Sequence, residues 1–128
     1  MIEKLKEYQK NSYSPYSHFP VSAILITKDG KEFPGVNVEN ASYGAGICAE
    51  RSAILSAIGR GYTKKDFQEL YVLTPSKKIG TPCFECRQVL SELLEKDVVV
   101  HCCSLEGEMK DYTIEELCPY PFGEDDLV

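Results

Sequence analysis

Four residues, Cys48, Glu50, Cys83 and Cys86, have the types and the spacing to do chemistry together. Cys83 and Cys86 stand three apart, which on a helix puts both thiols on one face, able to grip one ion. Cys48 is distant in sequence and adds a third thiol. Zinc takes thiolates readily, and three protein ligands leave its fourth tetrahedral position open, the condition of a catalytic centre. Glu50, two residues after Cys48, then reads as a base beside the open position rather than as a fourth ligand. Three thiolates more than cancel the metal's charge. Arg51, at i+3 from Cys48, could offset the excess by donating hydrogen bonds to the sulfurs. Each piece alone has a plainer use: free cysteines often pack as small hydrophobes, and an acid in a first helical turn is common. Their combination argues for a catalytic metal site.

The elements around these residues can bring them together. Ile2 to Lys10 reads as an amphipathic helix, and Val21 to Thr27 as a strand buried on both faces. Asp29-Gly30 marks a hairpin turn. The return strand, Glu32 to Glu39, carries Pro34, which favours an edge position. Period two puts Asn37 and Glu39 on one face of it, opposite Val36 and Val38. Cys48 to Arg60 reads as a helix stopped by Gly61. Leu70 to Thr74 is a strand, and a second helix runs from Pro82, at its first position, to about Lys96. Val98 to Cys103 is a further strand, Glu106-Gly107 a turn. Thr113 with Glu116 caps a last short helix, Ile114 to Cys118. The alternation strand, helix, strand, helix, strand implies parallel strands with right-handed crossovers. Both helices then start at one edge of the sheet, where ligands of such sheets sit. The fold class is α/β, with one mixed sheet and an antiparallel hairpin at its start.

Composition narrows the function. The 128 residues fit one domain, 1–128, long enough to bury a core. No apolar run approaches the roughly 18 residues of a membrane span, and Met1 to Lys10 is charged and unlike a signal peptide. A cytoplasmic location and no membrane partner are therefore expected. Six cysteines in such a chain point to metal, catalysis or packing rather than to disulfides. Cys102, Cys103 and Cys118 lack partners at ligand spacing and are expected in the core, and neither His18 nor His101 is expected to ligate. A net charge of −6 with 14 Lys and Arg speaks against nucleic acid as a partner.

Cys48-Ala49-Glu50 with Pro82-Cys83-Phe84-Glu85-Cys86 resembles the three-cysteine form of the zinc deaminase signature. With Tyr16-Ser17-His18-Phe19-Pro20-Val21, Gly35 to Gly44, Cys86-Arg87-Gln88-Val89 and Phe122-Gly123, the chain resembles the cytidine deaminase family in its small homotetrameric branch, from about Ser12 to Leu127. The resemblance implies a three-layer fold, one mixed sheet of about five strands with helices on both faces. It implies one zinc ion per subunit on Cys48, Cys83 and Cys86, with Glu50 as proton shuttle. Asn37 and Glu39 would bind the ribose of a pyrimidine nucleoside, Phe19 would pack near sugar and base, and the Ala49 backbone would read the base edge. Tyr43 and Phe122 would reach into a neighbouring subunit's site, so that a homotetramer shares its active sites. The implied reaction is hydrolysis of cytidine, and of deoxycytidine, to uridine or deoxyuridine and ammonia in pyrimidine salvage. Phe84-Glu85 departs from the two small residues common there, and Ser22 and Cys118 replace a frequent Gly and Leu.

Other readings are weaker. A structural zinc module needs a fourth protein ligand, and a thiol redox protein has no use for Cys48 or Glu50. A polynucleotide deaminase needs a basic groove. A deaminase of a modified cytosine nucleoside is the nearest alternative, and Asn37-Val38-Glu39-Asn40 favours an ordinary ribose.

Overall fold

A computed structural model describes residues 1–127. Its elements run α1 (Ile2–Gln9), β1 (Ser22–Thr27), β2 (Glu32–Val36), α2 (Ala49–Gly59), β3 (Phe67–Leu73), α3 (Phe84–Leu93), β4 (Val99–Cys103), β5 (Met109–Thr113) and α4 (Ile114–Leu117). The five strands form one mixed sheet in the order β2-β1-β3-β4-β5. β1 is antiparallel to both β2 and β3, so the hairpin strand lies inside the β2-α2-β3 crossover. β3 and β4 are parallel, and β5 returns antiparallel at the far edge. Pro34 therefore stands on an edge strand, as its missing N–H requires. Gly30 takes the hairpin turn at φ +87°.

Both faces of the sheet are covered, unequally. Ala23, Leu25, Leu70, Val72, Val100 and Cys102 point to the face under α2, α3 and α4 and join Ala53, Ile54 and Leu90 in the main core. Ile24, Leu73 and Cys103 point the other way, where Leu5 of α1 covers them. Alternation of side chains along each strand makes this division. On α2 the buried positions Ala49, Ala53 and Ala57 recur every four residues and form one small-residue face. That face lies so close to β2 that a Cβ on Gly35 would stand 2.4 Å from Ala53 N and 2.5 Å from Ala49 O. Only glycine permits the approach, and it fixes how deep the start of α2 sits.

Several elements differ from expectation. β5 is a polar edge strand, Met-Lys-Asp-Tyr-Thr, with no apolar alternation to announce it. β2 ends at Val36 because Val38 changes partners, bonding Ile47 in both directions at 3.0 and 2.9 Å. Pro82 lies outside α3 rather than at its first position, since Cys83 is extended and caps the helix, its Sγ accepting from the Cys86 N–H at 3.4 Å. Leu94 leaves the same helix to bury itself. Cys102 and Cys103 are core residues, whereas Cys118 is only half-buried at the end of α4. No helix among the described residues is long and apolar enough to cross a membrane.

Candidate active site

The starts of α2 and α3 meet at one edge of the sheet. Cys48 is the N-cap of α2 yet makes no side-chain capping bond, so its sulfur is free for another use. The Sγ atoms of Cys48, Cys83 and Cys86 all lie within 4.8 Å of one another, a set able to hold a metal ion. The donors fit zinc: three sulfurs, no disulfide, and no fourth ligand in the group. The cluster is already primed electrically. Cys48 is pulled down to about 5, first by the bond with the Cys86 thiol and then by Arg51, while Cys86 is pushed up. A shared proton in a thiolate–thiol pair is what a metal displaces on entering.

Arg51 comes from the same turn as Cys48. Its Nη2 donates to Cys48 Sγ at 3.6 Å and lies 3.1 Å from Glu85 Oε1. The guanidinium thus divides its charge between a sulfur and the carboxylate that stands between Cys83 and Cys86. Arg87 braces the second cysteine loop, donating to Pro82 O at 2.7 Å, Leu117 O at 2.9 Å and Thr81 Oγ1 at 2.7 Å, with Phe84 stacked beneath it at 4.4 Å. Arg51→Gln should leave the chain folded and lower kcat about 10- to 100-fold. Unchanged kinetics and metal retention in steady-state and zinc measurements would make Arg51 a mere surface charge.

A cavity of about 360 Å³ opens beside the cysteines, lined by Phe19, Asn37, Glu39, Cys48, Ala49 and Glu50, with Ser17, Val21, Val72, Thr74, Thr81 and Cys83 completing its walls. Glu50 is 5 % exposed, and burial pushes its carboxyl up to about 7. A group poised there can hold or release a proton near neutrality. Ala49 opens α2, and the first N–H groups of a helix have no partner within it, so a backbone donor faces the cavity.

The outer wall is stiffened by hydrogen bonds that the sequence concealed. Asn37 Oδ1 accepts from the Ser12 hydroxyl and from Val21 N–H at 2.9 Å, and its Nδ2 donates to Phe19 O at 2.9 Å. One amide N–H is left over. Glu39 Oε1 accepts from the N–H groups of Tyr16 and Ser17 at 3.0 and 3.1 Å, and Oε2 from the Ser17 hydroxyl. These bonds, Ser17's foremost, hold Glu39 below the usual carboxylate range. Asn37 can still donate and Glu39 can still accept. The roles of Ser12 and Ser17 were not legible, because nothing in their spacing points to a partner more than 20 residues on.

Two expected site residues stand outside this cavity. Tyr43 is 82 % exposed and lines a neighbouring hollow with Tyr16, Ser17 and Glu39. Phe122 is half-exposed near Gln88, which donates to its carbonyl at 2.7 Å. His101 lies on the opposite face of the sheet, between Glu69 and Asp111 at 2.7 Å each.

The chain matches the model of the cytidine and deoxycytidylate deaminase zinc-binding region over residues 1–102. A protein of Halalkalibacterium halodurans named cytidine deaminase is 38% identical over 127 residues, 99% of this chain and 95% of its own length. The crystal structure of cytidine deaminase from Burkholderia pseudomallei superposes with a TM-score of 0.91 at 40% identity, covering 94% of this chain and 95% of that one. That of Mycobacterium tuberculosis superposes at 0.78 with 28% identity, covering 95% and 97%. Three clustered thiols at two helix starts, a buried acid beside them, and likeness along nearly the whole chain agree: this protein belongs to the zinc-binding cytidine and deoxycytidylate deaminase family.

Proposed function

We propose that the chain hydrolyses cytidine, and deoxycytidine, to the uracil nucleoside and ammonia, acting as one domain over residues 1–128. The observation that carries this is Glu50, buried at the wall of a cavity next to three convergent thiols, with Asn37 and Glu39 lining the same cavity and keeping a donor and an acceptor to spare. Cys48, Cys83 and Cys86 would hold zinc, one ion per subunit. Bound there, zinc supplies the Lewis acidity that makes water a nucleophile near neutral pH.

Glu50 does the proton work. Its carboxylate takes a proton from the attacking water and delivers it to ring N3, which leaves C4 electrophilic. The water oxygen bonds to C4, and the same carboxylate then takes the proton left on that oxygen and passes it to the departing amine as the C4–N bond breaks and the C4 carbonyl forms. The Ala49 N–H supplies a donor for the base edge. Asn37 donates to a ribose hydroxyl and Glu39 accepts from it, while Phe19 covers the sugar. Because the cavity ends in this sugar-binding wall, a nucleoside fits better than a free base.

Tyr43, Phe84, Tyr120 and Phe122 are large aromatic side chains left exposed, available for burial against a second subunit. They support assembly into a homotetramer in which Tyr43 and Phe122 complete a neighbour's site. A cytoplasmic place in pyrimidine salvage suits such an enzyme.

The test follows the ultraviolet change on deamination with cytidine, deoxycytidine, CMP and cytosine as substrates. Rapid turnover of both nucleosides and little of cytosine or CMP is expected. Glu39→Gln should lower kcat/KM for cytidine by about tenfold or more, well beyond the modest Tm loss from weaker bonds to Tyr16 and Ser17, since the substrate loses a hydrogen bond to a charged acceptor. Equal rates on cytosine and cytidine, or a Tm loss in step with activity, would overturn the sugar assignment.

A further inference from the structure

Arg51 reaches the cysteine cluster through Nη2, which donates to Cys48 Sγ at 3.6 Å. Its Nε, fully shielded, has no hydrogen-bond partner among the described residues, so that nitrogen does not pin the group. Nη2 carries two hydrogens, however, and Glu85 Oε1 stands 3.1 Å from it. The carboxylate can take one hydrogen while the sulfur takes the other.

Glu85 is built into the site for such a grip. It lies in the first turn of α3, between Cys83 and Cys86, whereas Arg51 lies in the first turn of α2, beside Cys48. The pair therefore spans the two helix starts that bring the thiols together. The footing of Glu85 is stiff, because Arg87 stacks on Phe84 at 4.4 Å and donates to Pro82 O at 2.7 Å, bracing the turn from which Glu85 projects. A pair whose side chains are 20 % and 72 % exposed adds little to stability. Its consequence is where it holds the guanidinium.

We propose that Glu85 is a positioning residue of this site, anchoring Arg51 against Cys48 so that the guanidinium draws electron density from the sulfur. The assignment rests on the cytidine deaminase reading, in which a metal held by three thiolates needs that density withdrawn to activate water. Glu85 serves the sulfur through Arg51 and does not compete with it, since the two acceptors use different hydrogens of Nη2.

Glu85→Ala, Arg51→Gln and the double variant test this on two readouts. With cobalt in place of zinc, the sulfur-to-metal charge-transfer band reports electron density on the thiolates and requires no turnover. Arg51→Gln should move the band to lower energy, Glu85→Ala should move it the same way by less, and the double variant should match Arg51→Gln alone. For cytidine, Glu85→Ala should lower kcat about threefold, with KM nearly unchanged because Glu85 lies outside the cavity wall, and should lower it no further beside Arg51→Gln. An ordinary first-turn acid would instead lower Tm equally in both backgrounds and leave the band in place. An unmoved band, a shift to higher energy with faster turnover, or an equal effect of Glu85→Ala in both backgrounds would overturn the proposal. A parent chain inert toward cytidine would sink the deaminase reading itself, while the cobalt band would still decide whether Glu85 anchors Arg51.

Discussion

Glu50→Gln should lower cytidine turnover by about 10⁴-fold or more while the chain keeps its zinc and its fold. General acid–base groups contribute about 10²–10⁴-fold, and Glu50 serves the water, the ring nitrogen and the leaving amine in turn. The replacement preserves shape, so no cavity opens at a residue only 5 % exposed. Stability should move the other way. In the folded chain burial raises the Glu50 carboxyl from its ordinary 4.5 to about 7. Between those values the folded state holds a proton that the unfolded state has released, so stability falls as pH rises through that window. Above pH 7 the full cost remains, about 3 kcal/mol. Metal-stripped Glu50→Gln, free of that cost, should melt higher than the stripped parent at pH 8 and no higher at pH 4. An ordinary first-turn helix acid would give the opposite pair of results, near-normal turnover and a loss of about 0.3–1 kcal/mol.

Cys83→Ala should abolish turnover and zinc retention together. Cys83 is exposed, so its removal leaves no hole in the core. Within the helix start its thiol makes a weak cap to Cys86 N–H, worth about 1 kcal/mol. Without a third sulfur the metal's hold fails. The chemistry then loses the group that brings water from a pKa of about 15.7 toward 7, a fall in rate on the order of 10⁴-fold or more. Chelation of the parent should reproduce the loss, and added zinc should restore the parent but not the variant. Elemental analysis beside the turnover assay checks it. A Cys83→Ala protein that keeps stoichiometric zinc and turns cytidine over would remove Cys83 from the ligand set.

Much of this site was legible because its chemistry depends on residue types few other uses require. Three cysteines and an acid at two helix starts need only the α/β alternation to be brought to one sheet edge. The period expected of a strand reaching Glu39 put Asn37 and Glu39 on one face, and both line the cavity although β2 itself ends at Val36. Geometry that depends on distant partners was not legible. Asn37 spends most of its bonding capacity on Ser12, Phe19 and Val21, and Glu39 much of its own on Tyr16 and Ser17. Local pattern carries no trace of such pairs.

The same division runs through the fold. Gly30 and Gly61 announced their turns through a local need for positive φ. Gly35 serves contact with Ala49 and Ala53, which only the packed structure reveals. β5 escaped because an edge strand open to water needs no apolar alternation. The α3 boundary shifted because a cysteine, not a proline, supplies its start.

The most direct test of the central claim is to measure zinc, cytidine loss and ammonia release on one preparation of the purified chain. One zinc per chain, with one ammonia released for each cytidine converted to uridine, is the predicted result. A chain that holds its zinc in full and leaves cytidine unchanged would contradict it.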